Sequence, residues 1–137
     1  MVSEWAKNLA DRKKQELEDK RLHQEKDLSD RKMLDANADK MWVEVRRAAI
    51  ESCKELNSSM GSDYIKFEGA SYHNAFTLVT PEQSCTVTFN PPTWLLSVQG
   101  STYSLVVEGS GVLWKNSQGN TLPSKSVAQN IVAGAFH

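Results

Sequence analysis

The first glycine of the chain is Gly61 and the first proline is Pro81, so sixty residues run without either of the residues that most reliably interrupt a helix. Charge is shared just as unequally. Of the 33 Asp, Glu, Lys and Arg side chains, 26 lie between Glu4 and Glu55, and seven serve the remaining eighty residues after Asn57. A long polar helix followed by a compact, mostly β region is the expected architecture. Residues 1–35 are expected to be a charged helical arm and residues 36–137 a compact α+β domain.

Ser3 is placed to cap the helix, Glu4 complements the positive end of its dipole, and Trp5, Leu9 and Leu17 begin an apolar face. Between Asp11 and Asp35 that face thins out, because sixteen of 25 residues are charged, eight of each sign. Leu17, Leu22, Leu28, Met33 and Leu34 are scattered among them. Glu16 with Lys20 and Asp27 with Arg31 place the acid four residues before the base, worth ~0.2–0.5 kcal/mol each to an isolated helix. Such a segment can be helical without being buried.

After Asp35, Ala38, Trp42, Val45, Ala49, Cys53, Leu56 and Met60 recur at intervals of three and four, with Met41, Ala48 and Ile50 at the edges of the stripe. That stripe requires a partner surface, and the sheet that follows is the expected one. Gly61 is the expected C-terminal stop. An unbroken helix from Ser3 to Asn57 would be roughly 80 Å long, against a diameter of ~35–40 Å for a compact chain of this length. The only turn candidates inside it, Asp35-Ala36-Asn37 and Ser29-Asp30, contain neither Gly nor Pro. A heptad frame places Ala10, Leu17, Gln24, Arg31, Ala38 and Val45 at one seam position and Lys14, Arg21, Leu28, Asp35, Trp42 and Ala49 at the other. About half of that seam is apolar, which is poor for a two-stranded coiled coil.

From Asp63 onward, runs rich in Val, Ile, Thr, Tyr and Phe alternate with turn residues, the pattern of an antiparallel meander. Strands are expected near residues 64–68, 72–79, 85–89, 94–98, 103–108 and 111–115, with reversals at Thr80-Pro81-Glu82-Gln83, Asn90-Pro91-Pro92, Gln99-Gly100-Ser101 and Gly109-Ser110-Gly111. Residues 124–136 carry Val127, Ala128, Ile131, Val132 and Ala135 at helical spacing behind Pro123. The fold class is therefore α+β: a long N-terminal helix packed through its C-terminal half on an antiparallel sheet of about six strands, with a short C-terminal helix.

A net charge of −1 argues against a surface built for nucleic acid. Cys53 and Cys85 have no metal-ligand or redox spacing around them and are expected to be buried thiols. The N-terminus lacks the apolar run of ~7–15 residues that a secretory signal requires, and no segment is apolar enough to span a bilayer. The expectation is a cytoplasmic protein without a membrane partner, in which the acceptor pattern Asn57-Ser58-Ser59 is accidental.

Specific chemistry is scarce. Gly109-Ser110-Gly111 is followed by a strand, whereas a phosphate cradle needs a helix N-terminus there. His73, beside Tyr72 and Asn74, could serve a nucleophile only if it met Ser84 or Cys85 and an orienting acid. His23 lies in the charged arm and His137 is terminal. The polar run Asn116, Ser117, Gln118, Asn120 and Thr121 describes a loop. No catalytic residue, metal ligand or cofactor is assigned. The expected function is non-enzymatic: self-association, with a homodimer as one form, or binding of another protein through the long helix. The alternative is a small-ligand-binding domain or small enzyme with a pocket between sheet and helices, lined by Phe89, Trp94, Tyr103 and Trp114.

Overall fold

Helix α1 spans Glu4–Met60 in a computed structural model that describes residues 3–69 and 74–136. Ser3 caps it as expected: its Oγ accepts the Ala6 amide at 3.2 Å and its carbonyl accepts the Lys7 amide at 3.1 Å. Ser29-Asp30 and Asp35-Ala36-Asn37 lie inside the helix, which needs no turn at either place. The helix ends in a Schellman motif. The Ser62 amide donates to the Asn57 carbonyl and the Gly61 amide to that of Ser58, with Gly61 at φ +72°, a conformation that costs a residue with a Cβ roughly 1–2 kcal/mol.

Contacts divide the described chain into two units, one up to Met33 and one from Leu34 onward. In the second, seven strands form one antiparallel sheet in strict sequence order: β1 (Lys66–Gly69), β2 (Ala75–Val79), β3 (Ser84–Asn90), β4 (Leu95–Val98), β5 (Ser101–Glu108), β6 (Gly111–Lys115) and β7 (Thr121–Leu122). Helix α2 (Ser124–Phe136) follows. The meander is thus one strand longer than the pattern indicated. The two-residue β7, which sets Leu122 opposite Trp114, is too short to show a period of its own.

Alternation along the strands decides which face is covered. Cys85, Val87 and Phe89 of β3 are buried while Ser84, Thr86, Thr88 and Asn90 are exposed, and the register carries the same face through Phe76, Leu78, Leu96, Tyr103, Leu105 and Trp114. The uncovered face of the central strands is largely Thr and Ser, with Thr77 and Thr86 hydroxyls 3.2 Å apart across β2 and β3. The reversals follow the local chemistry. Thr80 accepts the Gln83 amide on its hydroxyl at 3.2 Å and donates its own amide to the Gln83 carbonyl at 2.9 Å, closing the turn around Pro81. Glu108 and Gly111 pair across Gly109-Ser110, where Gly109 at φ +61° supplies the positive dihedral of a type II′ hairpin turn.

The core joins the sheet to the second half of α1 and to α2. Leu34, Ala38, Met41, Trp42, Val45, Ala49 and Cys53 are buried from α1, and Val127, Ala128, Ile131, Val132 and Ala135 from α2. Trp42 stacks on both Phe76 and Phe89, with ring centroids 5.5 and 5.6 Å away. At its C-terminal end the stripe runs out early: Leu56 is half-buried and Met60 is exposed, because Met60 sits in the last turn before the chain reverses at Gly61. At the other end it begins sooner, at Leu34.

Two polar devices tie the layers together. The Asn57 side chain mimics a strand edge, donating from Nδ2 to the Ile65 carbonyl at 2.8 Å and accepting the Ile65 amide on Oδ1 at 2.9 Å. This engagement also occupies the amide of the Asn57-Ser58-Ser59 acceptor pattern. Ser124 is the second device: its buried hydroxyl accepts Trp114 Nε1 at 3.0 Å and donates to Glu44 Oε2 at 3.1 Å. Ser124→Ala strands the indole N–H of a fully buried tryptophan, so a loss of about 1–3 kcal/mol is expected in urea unfolding; an unchanged midpoint would show that the bond contributes nothing.

Candidate functional site

No residue from Glu4 to Met33 is buried, although the whole segment is helical. Trp5 is 74% exposed, and Leu9, Leu17, Leu22 and Leu28 are each more than half exposed. Trp5, Ala6, Leu9 and Ala10 form one contiguous apolar patch beside Arg12, Lys13 and Glu16. The helix here is supported by its own charges. Arg21 donates to Glu18 at 3.2 Å and to Glu25 at 2.9 Å, Lys13 Nζ lies 3.8 Å from Glu16, and His23 Nε2 lies 3.6 Å from Asp27. Glu16 and Asp27 therefore approach Lys13 and His23, where the spacing suggests Lys20 and Arg31. The Arg21 hydrogen bond and charge hold the Glu18 carboxyl below the usual carboxylate range, and Glu18 in turn raises the Arg21 guanidinium. Exposed pairs of this kind stabilise a helix by tenths of a kcal/mol and leave its apolar side chains in water.

The four aromatics weighed as pocket lining go to different places. Phe89 and Trp114 meet edge to face at 5.7 Å inside the core, and Trp114 is wholly buried. Tyr103 is buried on the same sheet face at the margin of a cleft of about 220 Å³, which Gln83, Cys85, Asn130, Ile131 and Gly134 also line. That volume is below the ~300–1,000 Å³ usual for small-molecule pockets. Trp94 packs half-buried against the margin of the same core, at the C-terminal end of the 3-10 turn Pro91–Thr93 in a left-handed conformation at φ 54°. Its Nε1 donates to Asp35 Oδ1 at 2.9 Å and its carbonyl accepts the Leu105 amide at 3.0 Å. These two bonds hold a bulky residue in a region it seldom enters. The expected strand over 94–98 accordingly starts one residue later, at Leu95.

Of the titratable candidates, His73 and His137 lie outside the described residues, as does Tyr72. Ser84 and Cys85, the partners considered for His73, point to opposite faces at the start of β3, one exposed and one buried. Cys53 and Cys85 are free buried thiols, and burial pushes the Cys53 thiol up from its ordinary value, away from the reactive thiolate. Among the described residues no three His, Cys, Asp or Glu side chains gather as a metal site. Gly109-Ser110-Gly111 leads from β5 into β6 and presents no helix N-terminus to an anion. Asn116, of the polar run, organises its own loop, accepting the Gln118 and Asn120 amides on Oδ1 at 3.0 and 2.9 Å.

Among the described residues no helix is long and apolar enough to cross a membrane. The Asp35–Trp94 bond joins residues 59 apart in sequence, and no local pattern could have announced it. No protein-family model, curated protein or solved structure matches this chain.

Proposed function

We propose that the protein is non-enzymatic and cytoplasmic, and that it acts by self-association through the helical segment 4–33. One observation carries the reading: of eight large hydrophobic side chains exposed among the described residues, five lie in that segment, namely Trp5, Leu9, Leu17, Leu22 and Leu28. Leu17 and Leu28, which share one heptad seam, would each contribute about 1.5–3 kcal/mol on full burial, and nothing within the segment buries any of the five. Charge does not oppose pairing of identical copies, because residues 1–57 hold thirteen basic and thirteen acidic side chains. The non-enzymatic part rests on the use of Phe89, Tyr103 and Trp114 as core, and two free thiols fit a reducing compartment.

The test is a full-length variant with Trp5, Leu9, Leu17, Leu22 and Leu28 all replaced by Gln, a residue that keeps helix propensity. The unsubstituted chain is expected to gain mass with concentration in sedimentation equilibrium and the variant to remain at the monomer mass, with equal helical circular dichroism. Equal association of the two would place the contact elsewhere. An unsubstituted chain that stays monomeric yet binds a different helical protein through these residues would replace self-association with a heterotypic contact.

A further inference from the structure

The seam of the N-terminal segment is too polar to specify a partner by burial alone, so orientation has to come from its flanks. With Lys14, Arg21 and Leu28 at a and Ala10, Leu17, Gln24 and Arg31 at d, the g positions are Ala6, Lys13, Lys20 and Asp27 and the e positions are Asp11, Glu18, Glu25 and Lys32. In a parallel two-stranded coil each g side chain faces the e side chain five residues further along the other strand. Lys13 then meets Glu18, Lys20 meets Glu25 and Asp27 meets Lys32, every one a pair of opposite sign. The last pair inverts the sign of the first two and still matches. Twofold symmetry repeats all three on the other side of the seam.

An antiparallel arrangement sets g against g and e against e. The acidic e flank of Asp11, Glu18 and Glu25 would then face itself. We infer that residues 4–33 pair with a second copy of the same segment as a parallel, in-register coiled coil whose direction is set by the Lys13–Glu18, Lys20–Glu25 and Asp27–Lys32 contacts between chains. The inference rests on the self-association proposed above and adds its orientation, register and charged contacts.

Leu17 and Leu28 each meet their own copy on the seam, with Lys14 and Arg21 in the layers flanking Leu17 and Gln24 and Arg31 in those flanking Leu28. Lys14, Arg21 and Arg31 are the costly seam residues, each meeting its own copy. Arg21 already has a carboxylate on each side, Glu18 at 3.2 Å and Glu25 at 2.9 Å within its own helix. Trp5, Leu9 and Leu22 fall at f, c and b and stay outside this interface. That placement separates a specified seam from indiscriminate apolar sticking.

The experiment uses three full-length proteins: a basic-to-acidic variant (Lys13→Glu with Lys20→Glu), an acidic-to-basic variant (Glu18→Lys with Glu25→Lys) and Trp5→Ala. Each charge variant alone is expected to self-associate on the order of tenfold more weakly than the unsubstituted chain, since four contacts per dimer become like-charged. An equimolar mixture of the two is expected to associate more tightly than either alone. In the mixed pair the new carboxylates on the g flank of one chain face the new ammonium groups on the e flank of the other, and the unsubstituted flanks keep their original opposite signs. Rescue by mixing cannot arise from changes within one helix, which remain in both proteins. Direction is read from a further chain carrying all four substitutions, which is expected to associate with itself and not with the unsubstituted chain. An antiparallel pairing, with each flank facing its own kind, would join those two preferentially and overturn the parallel register. Trp5→Ala is expected to associate like the unsubstituted chain. Charge variants that associate normally, or a mixture no tighter than its components, would overturn the parallel register while leaving self-association standing. An unsubstituted chain that is monomeric at every concentration would remove the proposed function and the inference together.

Discussion

Replacing Trp42 by Ala is expected to lower the free energy of unfolding by about 3–5 kcal/mol, the largest loss at any single position of α1. The magnitude follows from where the indole sits. It is 3% exposed, packs on Phe76 and Phe89 at 5.5 and 5.6 Å, and belongs to the same core as Trp114, which meets Phe89 at 5.7 Å. Removing it leaves a cavity that rigid neighbours cannot close, since two of the strands that would have to move are paired on both sides. Domains of this size are stable by only about 5–15 kcal/mol, so the variant would be a marginal fold. Guanidinium unfolding followed by far-ultraviolet circular dichroism measures the loss. A change below about 1 kcal/mol would mean that the helix does not depend on this anchor.

The second large effect belongs to a polar residue. Asn57→Ala is expected to cost about 2–4 kcal/mol, because it removes both partners of the Ile65 backbone at once. Ile65 is 1% exposed and lies just before β1, so its amide and carbonyl have little access to water as substitutes. Asn57→Gln keeps the amide group but displaces it by one methylene, and it should recover little of the loss. Hydrogen exchange at Ile65 reports the same bond directly. An Ile65 amide protected equally in Asn57→Ala and the unsubstituted chain would show that the Asn57 bridge is dispensable.

Both of these residues show what the sequence could and could not convey. The stripe from Ala38 to Cys53 was legible because helical spacing and burial are the same statement, and Trp42 was visible on it as the largest side chain. The alternation of Val87 and Phe89 with Thr86 and Thr88 was legible for the same reason in the period of a strand. Asn57 carried no such signal. Its role depends on the chain reversing at Gly61 and returning Ile65 to the end of the helix, and a polar residue at a helix terminus has many ordinary uses. Leu34 stood in a run of charges and is nonetheless core, since one leucine reaching the sheet end of the stripe leaves the local pattern charged. The aromatics of the sheet were legible as an inward face, but alternation cannot say whether such a face meets packed side chains or a cavity. Phe89 and Trp114 meet packed side chains. Trp94 departs from the strand pattern because Asp35 holds it from a distant part of the chain.

The candidate interface is the reverse case. Its composition was plain, and its apolar residues could be named one by one. What a single chain lacks is the surface that covers them. The structure adds that none of them is covered within this chain's own segment, which turns a matter of composition into one of association.

Sedimentation equilibrium of the full-length chain over a wide concentration range puts that question most directly. The account predicts an apparent mass rising from 15.3 kDa toward twice that value, and a variant with Trp5, Leu9, Leu17, Leu22 and Leu28 all changed to Gln that holds the monomer mass throughout. A single ideal species of 15.3 kDa for the unsubstituted chain at every concentration would contradict it.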